Sequence, residues 1–250
     1  MTSLYKINDL IGWLDLSTYC NAACPQCHRT NKNGLDKVDW LPLIQWTIED
    51  FKKAYPIEFL KKHSKFEICG TWGDPMMNKD ILKIVKYIID NSNAYIHINT
   101  NGSIRSSDFW WDLGIIGGKR LEVWFDIEGI NQEMHSHYRR KTNFNMLKEN
   151  IETYCATKAR GRAHVIVFKH NENHLYEIRD MIRKWGIKGE ILFELSNRFY
   201  RDSKDSFFDE NGNEQILEQS TIDHPLINGT NPIRDHNWRR KKNIGSHELL

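Results

Sequence analysis

The sequence of 250 residues contains no long hydrophobic run, no secretion signal and no excess of charge of one sign. No apolar stretch approaches the roughly 18 residues of a membrane-spanning helix, which excludes an integral membrane protein. Residues 1–16 lack an apolar segment followed by a small-residue cleavage site, so we expect a cytoplasmic protein without a membrane partner. The net charge of +2 favours neither a nucleic acid nor a membrane surface.

Cysteine is nearly confined to one short segment, and none follows residue 155. Cys20, Cys24 and Cys27 are close together, whereas Cys69 and Cys155 stand alone. An odd number of cysteines clustered in this way does not suit a disulfide framework, and it indicates a metal site. We expect Cys69 to be a buried inert thiol, with a hydrogen-atom donor or an extra metal ligand as the alternative, and Cys155 to lie in the core.

Nine tryptophans and 40% hydrophobic residues supply enough apolar surface for a folded core. Short β-type runs alternate with helical stripes along the chain, which predicts repeated βαβ units and a parallel sheet. Six such units favour an α/β fold, a partial (βα)6 TIM-like barrel over residues 1–200. We expect residues 201–250 to form a short irregular C-terminal extension that caps the barrel without a second metal site; a disordered segment is the alternative. The predicted strands cover residues 11–17, 66–69, 95–99, 121–127, 164–168 and 191–195.

Four apolar stripes predict helices. They begin at Leu41, with Asp39 as the N-cap, at Ile81, with Asn78 as the cap, at Phe144 and at Leu175. Gly186 is a typical stop signal for the fourth stripe. A shorter helix over residues 107–113 explains the aromatic triplet at 109–111 better than a stacking platform does.

The segment Cys20-Asn-Ala-Ala-Cys24-Pro-Gln-Cys27 directly follows the first predicted strand. Three thiolates on one loop can hold three irons of a [4Fe–4S] cluster and leave the fourth iron open for a substrate or cofactor. The alternative is a structural zinc ion with His28 as its fourth ligand.

This loop resembles the cluster loop of the radical S-adenosylmethionine (SAM) superfamily, whose fold is a partial (βα)6 barrel. Residues 70–75 resemble the family's Gly-Gly-Glu-Pro segment, and residues 99–103 its Thr-Asn-Gly turn. Residues 126–129 resemble the segment that meets the SAM ribose, and residues 135–139 resemble the His-x-x-Tyr-Arg that follows it.

Residues 167–171 resemble a Phe-Lys-His-Asn pattern of relatives that carry a SPASM or Twitch extension for auxiliary clusters. This chain departs from the family at Gln26, where an aromatic is usual, at Trp72 and Asp74 in the glycine-rich segment, and in its lack of cysteines after Cys155. The resemblance implies that Cys20, Cys24 and Cys27 hold a [4Fe–4S] cluster. It assigns SAM binding to Gly73, Asp74, Asn99, Asn101, Asp126, Arg139, Phe168 and Asn171.

Within this assignment the glycine-rich segment approaches the SAM amino group, Asp126 meets the ribose, and Arg139 pairs with the SAM carboxylate. Asp126 and Glu128 could instead serve as a base toward the substrate. His97, His164 and His170 are expected to be polar groups of the core or pocket, with His97 and His170 as candidate substrate contacts.

The resemblance implies a radical SAM enzyme that takes one electron from a low-potential donor such as flavodoxin or ferredoxin. SAM is then cleaved to methionine and a 5′-deoxyadenosyl radical, which abstracts hydrogen from the substrate. Relatives of the SPASM/Twitch type favour a peptide or protein substrate, and a nucleotide, tRNA or sugar is the alternative. The non-enzyme alternative is a zinc-stapled module that binds nucleic acid through the basic run at 238–242.

Overall fold

The computed structural model describes residues 10–199 and 202–227 of the chain. Six parallel strands form one sheet in which each strand pairs with its neighbours in sequence. Since every connection returns over the same face, the sheet builds a partial barrel that is not closed between its first and last strands. The predicted α/β partial barrel is thereby confirmed. The strands are β1 (Leu10–Leu14), β2 (His63–Ile68), β3 (Tyr95–Thr100), β4 (Leu121–Asp126), β5 (Arg160–Val167) and β6 (Ile191–Leu195).

Helices cover the outer face of the sheet and bury its apolar side chains. In β4, for example, Leu121, Val123 and Phe125 are buried against the helices, whereas Glu122 and Asp126 face the barrel interior. The helices in the described residues are α1 (Ile48–Ala54), α2 (Ile57–Leu60), α3 (Ile81–Asn91), α4 (Ser107–Gly117), α5 (Gln132–Tyr138), α6 (Phe144–Ala156) and α7 (Leu175–Lys184).

Three of the predicted stripes form helices as expected, namely those of α3, α6 and α7. The buried face of α3 consists of the predicted residues Ile81, Ile84, Val85 and Ile88. Gly186 follows α7 with φ +98°, the left-handed conformation that makes glycine a stop signal.

The stripe that begins at Leu41 was wrongly predicted as one helix. Asp39 and Leu41 lie in a loop, and α1 begins only after Thr47, whose side chain forms a capping box with Asp50. The residues before Thr47 instead pair with the loop after β1, since the backbone nitrogen of Trp46 donates to the Leu16 carbonyl at 3.0 Å. The apolar residues of this segment have the spacing of a helix. Spacing alone does not reveal that their backbone groups pair with a distant part of the chain.

Asn78 was wrongly predicted as the cap of α3, whose N-cap is Asp80. The Asn78 side chain is fully buried and donates to the carbonyls of Leu16 at 2.8 Å and Trp46 at 2.9 Å. It therefore fastens the loop after β1 to the loop before α1.

The chain after the barrel forms a β-hairpin of β7 (Lys204–Phe208) and β8 (Glu214–Glu218), so the prediction of an irregular extension was wrong for this part. Phe207 and Leu217 of the hairpin are buried together with Ala22, Tyr138 and Phe168. The hairpin therefore packs over the cysteine loop. The domain boundary at residue 200 remains a prediction. The basic run at 238–242 lies outside the described residues.

In the part of the chain that the structure describes, no helix has the length and apolar character needed to cross a membrane.

Candidate active site

A cavity of about 620 Å³ lies at the carboxyl ends of the strands, the edge where parallel barrels carry their chemistry. The side chains of all three clustered cysteines line it. The predicted residues Gly73, Asp74, Asn99, Asn101, Asp126 and Arg139 line it as well. Phe168 and Asn171 do not belong to its lining.

Side chains on both flanks fix the cysteine loop over the cavity. Asn21 donates to the Ser103 carbonyl at 2.8 Å and accepts from the Asn101 amide at 2.8 Å, which ties the loop to the end of β3. Arg140 donates to the Ala23 carbonyl at 2.7 Å and to the Phe208 carbonyl at 2.7 Å. The loop is therefore held between the barrel and the hairpin.

Of the three thiols in the loop, that of Cys24 is buried and those of Cys20 and Cys27 are half-buried. Burial raises the pKa of Cys24 to about 11, although the nearby Arg139 guanidinium opposes this rise. Burial also raises the pKa of Cys20 well above its ordinary value. A bound metal would deprotonate such thiols outright.

Gly73 allows the loop after β2 to touch the loop after β1. A Cβ atom at this position would lie 2.2 Å from the Ser17 carbonyl oxygen and 2.6 Å from that of Tyr19, so no side chain fits. This close approach places backbone groups of the glycine-rich segment directly beside the cysteine loop.

Asp74 is buried and has all of its acceptor positions filled. Its carboxylate accepts from the Thr100 hydroxyl at 2.9 Å, the Asn101 backbone at 2.9 Å, the Asn101 side chain at 2.6 Å and the Met76 backbone at 2.9 Å. Burial raises the pKa of Asp74 above its ordinary value, and the backbone donors oppose that rise. Asp74 thus joins the ends of β2 and β3.

Arg139 lies at the end of α5, a helix that the sequence analysis missed, and meets two carboxylates. Its guanidinium donates to both oxygens of the buried Glu128, at 2.8 Å and 2.9 Å, and lies 3.1 Å from Asp126. Its third nitrogen lies 3.7 Å from the Cys24 sulfur. The segments 126–129 and 135–139 are therefore brought together as one charged network.

His164 extends this network toward β6. It lies 3.3 Å from Asp126 through Nδ1 and 2.8 Å from Glu194 through Nε2. Although burial lowers the pKa of His164, the two carboxylates raise it to about 10. The imidazole is therefore positively charged at neutral pH.

The sequence analysis did not propose Glu194 or Arg29 as site residues and expected His164 only as a polar group of the core or pocket, yet all three line the cavity. Inward alternation along β5 is the signal that could have found His164. Cys69 was wrongly expected to be buried, since it is half-buried, lines the cavity and accepts from the Asn99 amide at 3.2 Å. The inertness of its thiol remains a prediction. His97 also lines the cavity and stacks on Trp124 with ring centroids 5.6 Å apart.

Phe168 and Asn171 support the site from outside the cavity. Asn171 is fully buried and donates to the carbonyls of Glu128 at 3.1 Å and Ile166 at 3.0 Å. Phe168 is fully buried and packs on Tyr138 with ring centroids 4.6 Å apart. Their predicted direct contact with SAM remains a prediction.

No family model and no curated protein matches the chain. Solved structures do. SuiB from Streptococcus suis, bound to its precursor peptide SuiA, is similar with a TM-score of 0.58 and 13% identity, over 75% of this chain and 39% of that one. The structure of anSMEcpe with bound AdoMet (SAM) is similar with a TM-score of 0.57 and 14% identity, over 74% of this chain and 49% of that one. Methylornithine synthase (PylB) is similar with a TM-score of 0.53 and 15% identity, over 75% of this chain and 53% of that one.

These three proteins are radical SAM enzymes. The chain has the radical SAM fold. It spans between 39% and 53% of the length of the three compared structures.

The cavity fits the iron–sulfur cluster that belongs with the radical SAM fold. Its three thiols can each ligate a separate iron, and no fourth protein ligand is needed. In the described ranges, no three His, Cys, Asp or Glu side chains are placed to hold a single metal ion. The three thiols therefore lie in one cavity, where they could ligate such a cluster.

Proposed function

We propose that this chain is a radical SAM enzyme that holds a [4Fe–4S] cluster through Cys20, Cys24 and Cys27. The observation that carries the proposal is the placement of all three clustered cysteines in the same cavity as the charged strand ends. An open coordination position on a cluster serves to bind a cofactor directly. The radical SAM fold supports this assignment.

When bound, the cluster supplies the electron that cleaves SAM to methionine and a 5′-deoxyadenosyl radical, which abstracts hydrogen from the substrate. The protein binds SAM, orients it and keeps water out of the cavity. Backbone groups of the segment at Gly73 face the SAM amino group. Asp126 accepts hydrogen bonds from the ribose hydroxyls, because Arg139 and His164 overcome the effect of burial and hold its pKa below the ordinary value.

The substrate class that the comparisons favour is a peptide or protein. SuiB was solved with a precursor peptide, and anSMEcpe was solved with AdoMet and a Cp18Cys peptide. The electron comes from a low-potential donor such as flavodoxin or ferredoxin.

The test is anaerobic incubation of the iron-reconstituted chain with SAM and dithionite, followed by measurement of 5′-deoxyadenosine. We expect about four irons per chain and formation of 5′-deoxyadenosine. Replacement of any one of Cys20, Cys24 and Cys27 by Ala should abolish both, because a cluster with two thiolates is labile. The matched control Cys155→Ala should keep both.

Two results would contradict the proposal. A reconstituted wild-type chain that forms no 5′-deoxyadenosine would remove the enzyme activity while leaving the fold. Loss of iron in Cys155→Ala as complete as in Cys24→Ala would show that the ligands are wrongly assigned.

A further inference from the structure

Arg140 is a covered cation that lies behind the cysteine loop, outside the lining of the cavity. Only 7% of its surface is exposed. Its Nε donates to the Ala23 carbonyl at 2.7 Å, and its terminal nitrogens donate to the carbonyls of Phe208 at 2.7 Å and Gly34 at 3.2 Å. The guanidinium also lies over the Phe207 ring, 4.7 Å from the ring centroid. Uncharged groups of the loop and of the hairpin therefore hold this charge in place.

Arg140 is attached to the cysteine loop at the residue before a proposed cluster ligand. The backbone nitrogen of Ala23 donates to the Arg140 carbonyl at 3.0 Å, while the Ala23 carbonyl accepts from the Arg140 side chain. Ala23 directly precedes Cys24. Burial lowers the pKa of Arg140, and the negative charge of a Cys24 thiolate opposes this effect more strongly than that of Asp209 does. The charge of Arg140 therefore acts mainly on Cys24.

Arg139, the preceding residue, also lies near Cys24, but its charge is shared with two carboxylates. One of its nitrogens lies 3.7 Å from the Cys24 sulfur, and Asp126 and Glu128 lie 3.1 Å and 2.8 Å from its other nitrogens. Within residues 10–199 and 202–227, Arg140 forms no ion pair with an Asp or Glu side chain. Of the two arginines, Arg140 is thus the one whose charge is left to the sulfur ligands of the loop.

A positive charge held near an iron–sulfur cluster changes how readily the cluster accepts an electron. Reduction by one electron makes the cluster and its thiolates more negative, so a nearby cation favours the reduced form and raises the reduction potential. Water and salt screen covered charges much less than exposed ones. Phe207 and Phe208 of the hairpin cover the guanidinium, and this cover strengthens its effect on the loop.

We propose that Arg140 is a positioning residue whose covered charge acts on the cluster through Cys24 and raises its reduction potential. The inference rests on the proposed function, because it requires a cluster on the cysteine loop. It gives the hairpin of β7 and β8 a role in the chemistry, since the hairpin shields this charge from water.

The test measures the reduction potential of the iron-reconstituted chain without SAM, by anaerobic redox titration followed through the EPR signal of the reduced cluster. Arg140→Gln and Arg140→Met remove the charge, so both should shift the midpoint to a more negative potential. Arg140→Lys keeps the charge and loses the planar fork, so its midpoint should stay near that of wild type. The matched control Lys141→Gln removes an exposed positive charge next to Arg140 and should shift the midpoint less than either charge-free variant does.

A purely structural role of Arg140 predicts a different order of the variants. Arg140→Lys loses the fork that joins the carbonyls of Phe208 and Gly34, just as Arg140→Gln does. If only these hydrogen bonds mattered, the two variants would shift the midpoint equally. A difference between them therefore reports the charge.

Iron content decides the question if neither charge-free variant holds a cluster. Retention of iron in Arg140→Lys, with loss in both Arg140→Gln and Arg140→Met, would support the inference, because the charge then separates the variants. The inference is overturned if the charge-free variants shift the midpoint no further than Lys141→Gln does. It is also overturned if Arg140→Lys shifts the midpoint as far as Arg140→Gln or loses its iron. Wild-type protein that takes up no cluster would refute the proposed function itself, which is a distinguishable result.

Discussion

The two walls of the cavity hold their carboxylates in different ways. On one side, which we call the amide wall, Asp74 accepts only from neutral donors, supplied mainly by Thr100 and Asn101. On the other side, which we call the charged wall, three carboxylates share two cations. The members of the charged wall are Asp126, Glu128, Arg139, His164 and Glu194.

The difference between neutral and charged donors affects the pKa values of the buried carboxylates. Burial raises the pKa of Asp74, because its donors are neutral and do not fully offset the loss of water. Asp126 is buried too, yet the charges of Arg139 and His164 bring its pKa below the ordinary value. Glu128 differs from Asp126, since burial raises its pKa although Arg139 opposes that rise. The amide wall therefore fixes loops, and the charged wall keeps the carboxylate of Asp126 ionised at the cavity.

The largest effect is expected on the amide wall. Asp74→Ala leaves several buried donors of β3 and of the loop at Met76 without an acceptor, and we expect a loss of about 3 kcal/mol or more in the free energy of unfolding. Urea unfolding followed by circular dichroism measures it. The exposed control Asp112→Ala should stay within about 0.5 kcal/mol of wild type. A small loss in Asp74→Ala would show that water replaces the carboxylate and that the amide wall is not closed.

A smaller effect is expected on the charged wall. Glu128→Gln should cost about 1–3 kcal/mol in the same experiment, because Arg139 loses one charged partner but keeps Asp126. The control Glu133→Gln, exposed in the first turn of α5, should be close to neutral. If Glu128→Gln lost as much unfolding free energy as Asp74→Ala does, the two walls would not differ in how they hold their carboxylates.

A further effect depends on pH and concerns His164. Its pKa is about 10 in the folded chain against an ordinary value of 6.5. The proton therefore contributes stability that is fully present below pH 6.5 and is lost as the pH rises through about 10. The difference in unfolding free energy between wild type and His164→Asn should shrink over this interval. A difference that stays constant from pH 6.5 to 10 would show that the imidazole is neutral.

Much of this arrangement could be predicted from local patterns. Apolar spacing predicted α3, α6 and α7, because each of these helices buries one face whatever its neighbours are. The same reasoning failed at Leu41, since residues 42–46 satisfy their backbone groups against the loop after β1 rather than in a helix. The hairpin after the barrel was missed because its strands are rich in charged residues and bury only single side chains such as Phe207 and Leu217.

Spacing along the chain was sufficient to single out Cys20, Cys24 and Cys27, which line one cavity, and to order the strands. Both depend on residues that are close in sequence. Which cation meets which carboxylate depends on the fold. Glu128 follows β4 and meets Arg139 only because α5 folds back over the strand end. His164 meets Asp126 because the register of β5 against β4 sets them side by side. Arg29 lacks a carboxylate partner within the described residues for the same reason: burial and neighbours are set by packing between distant segments, which no local pattern encodes.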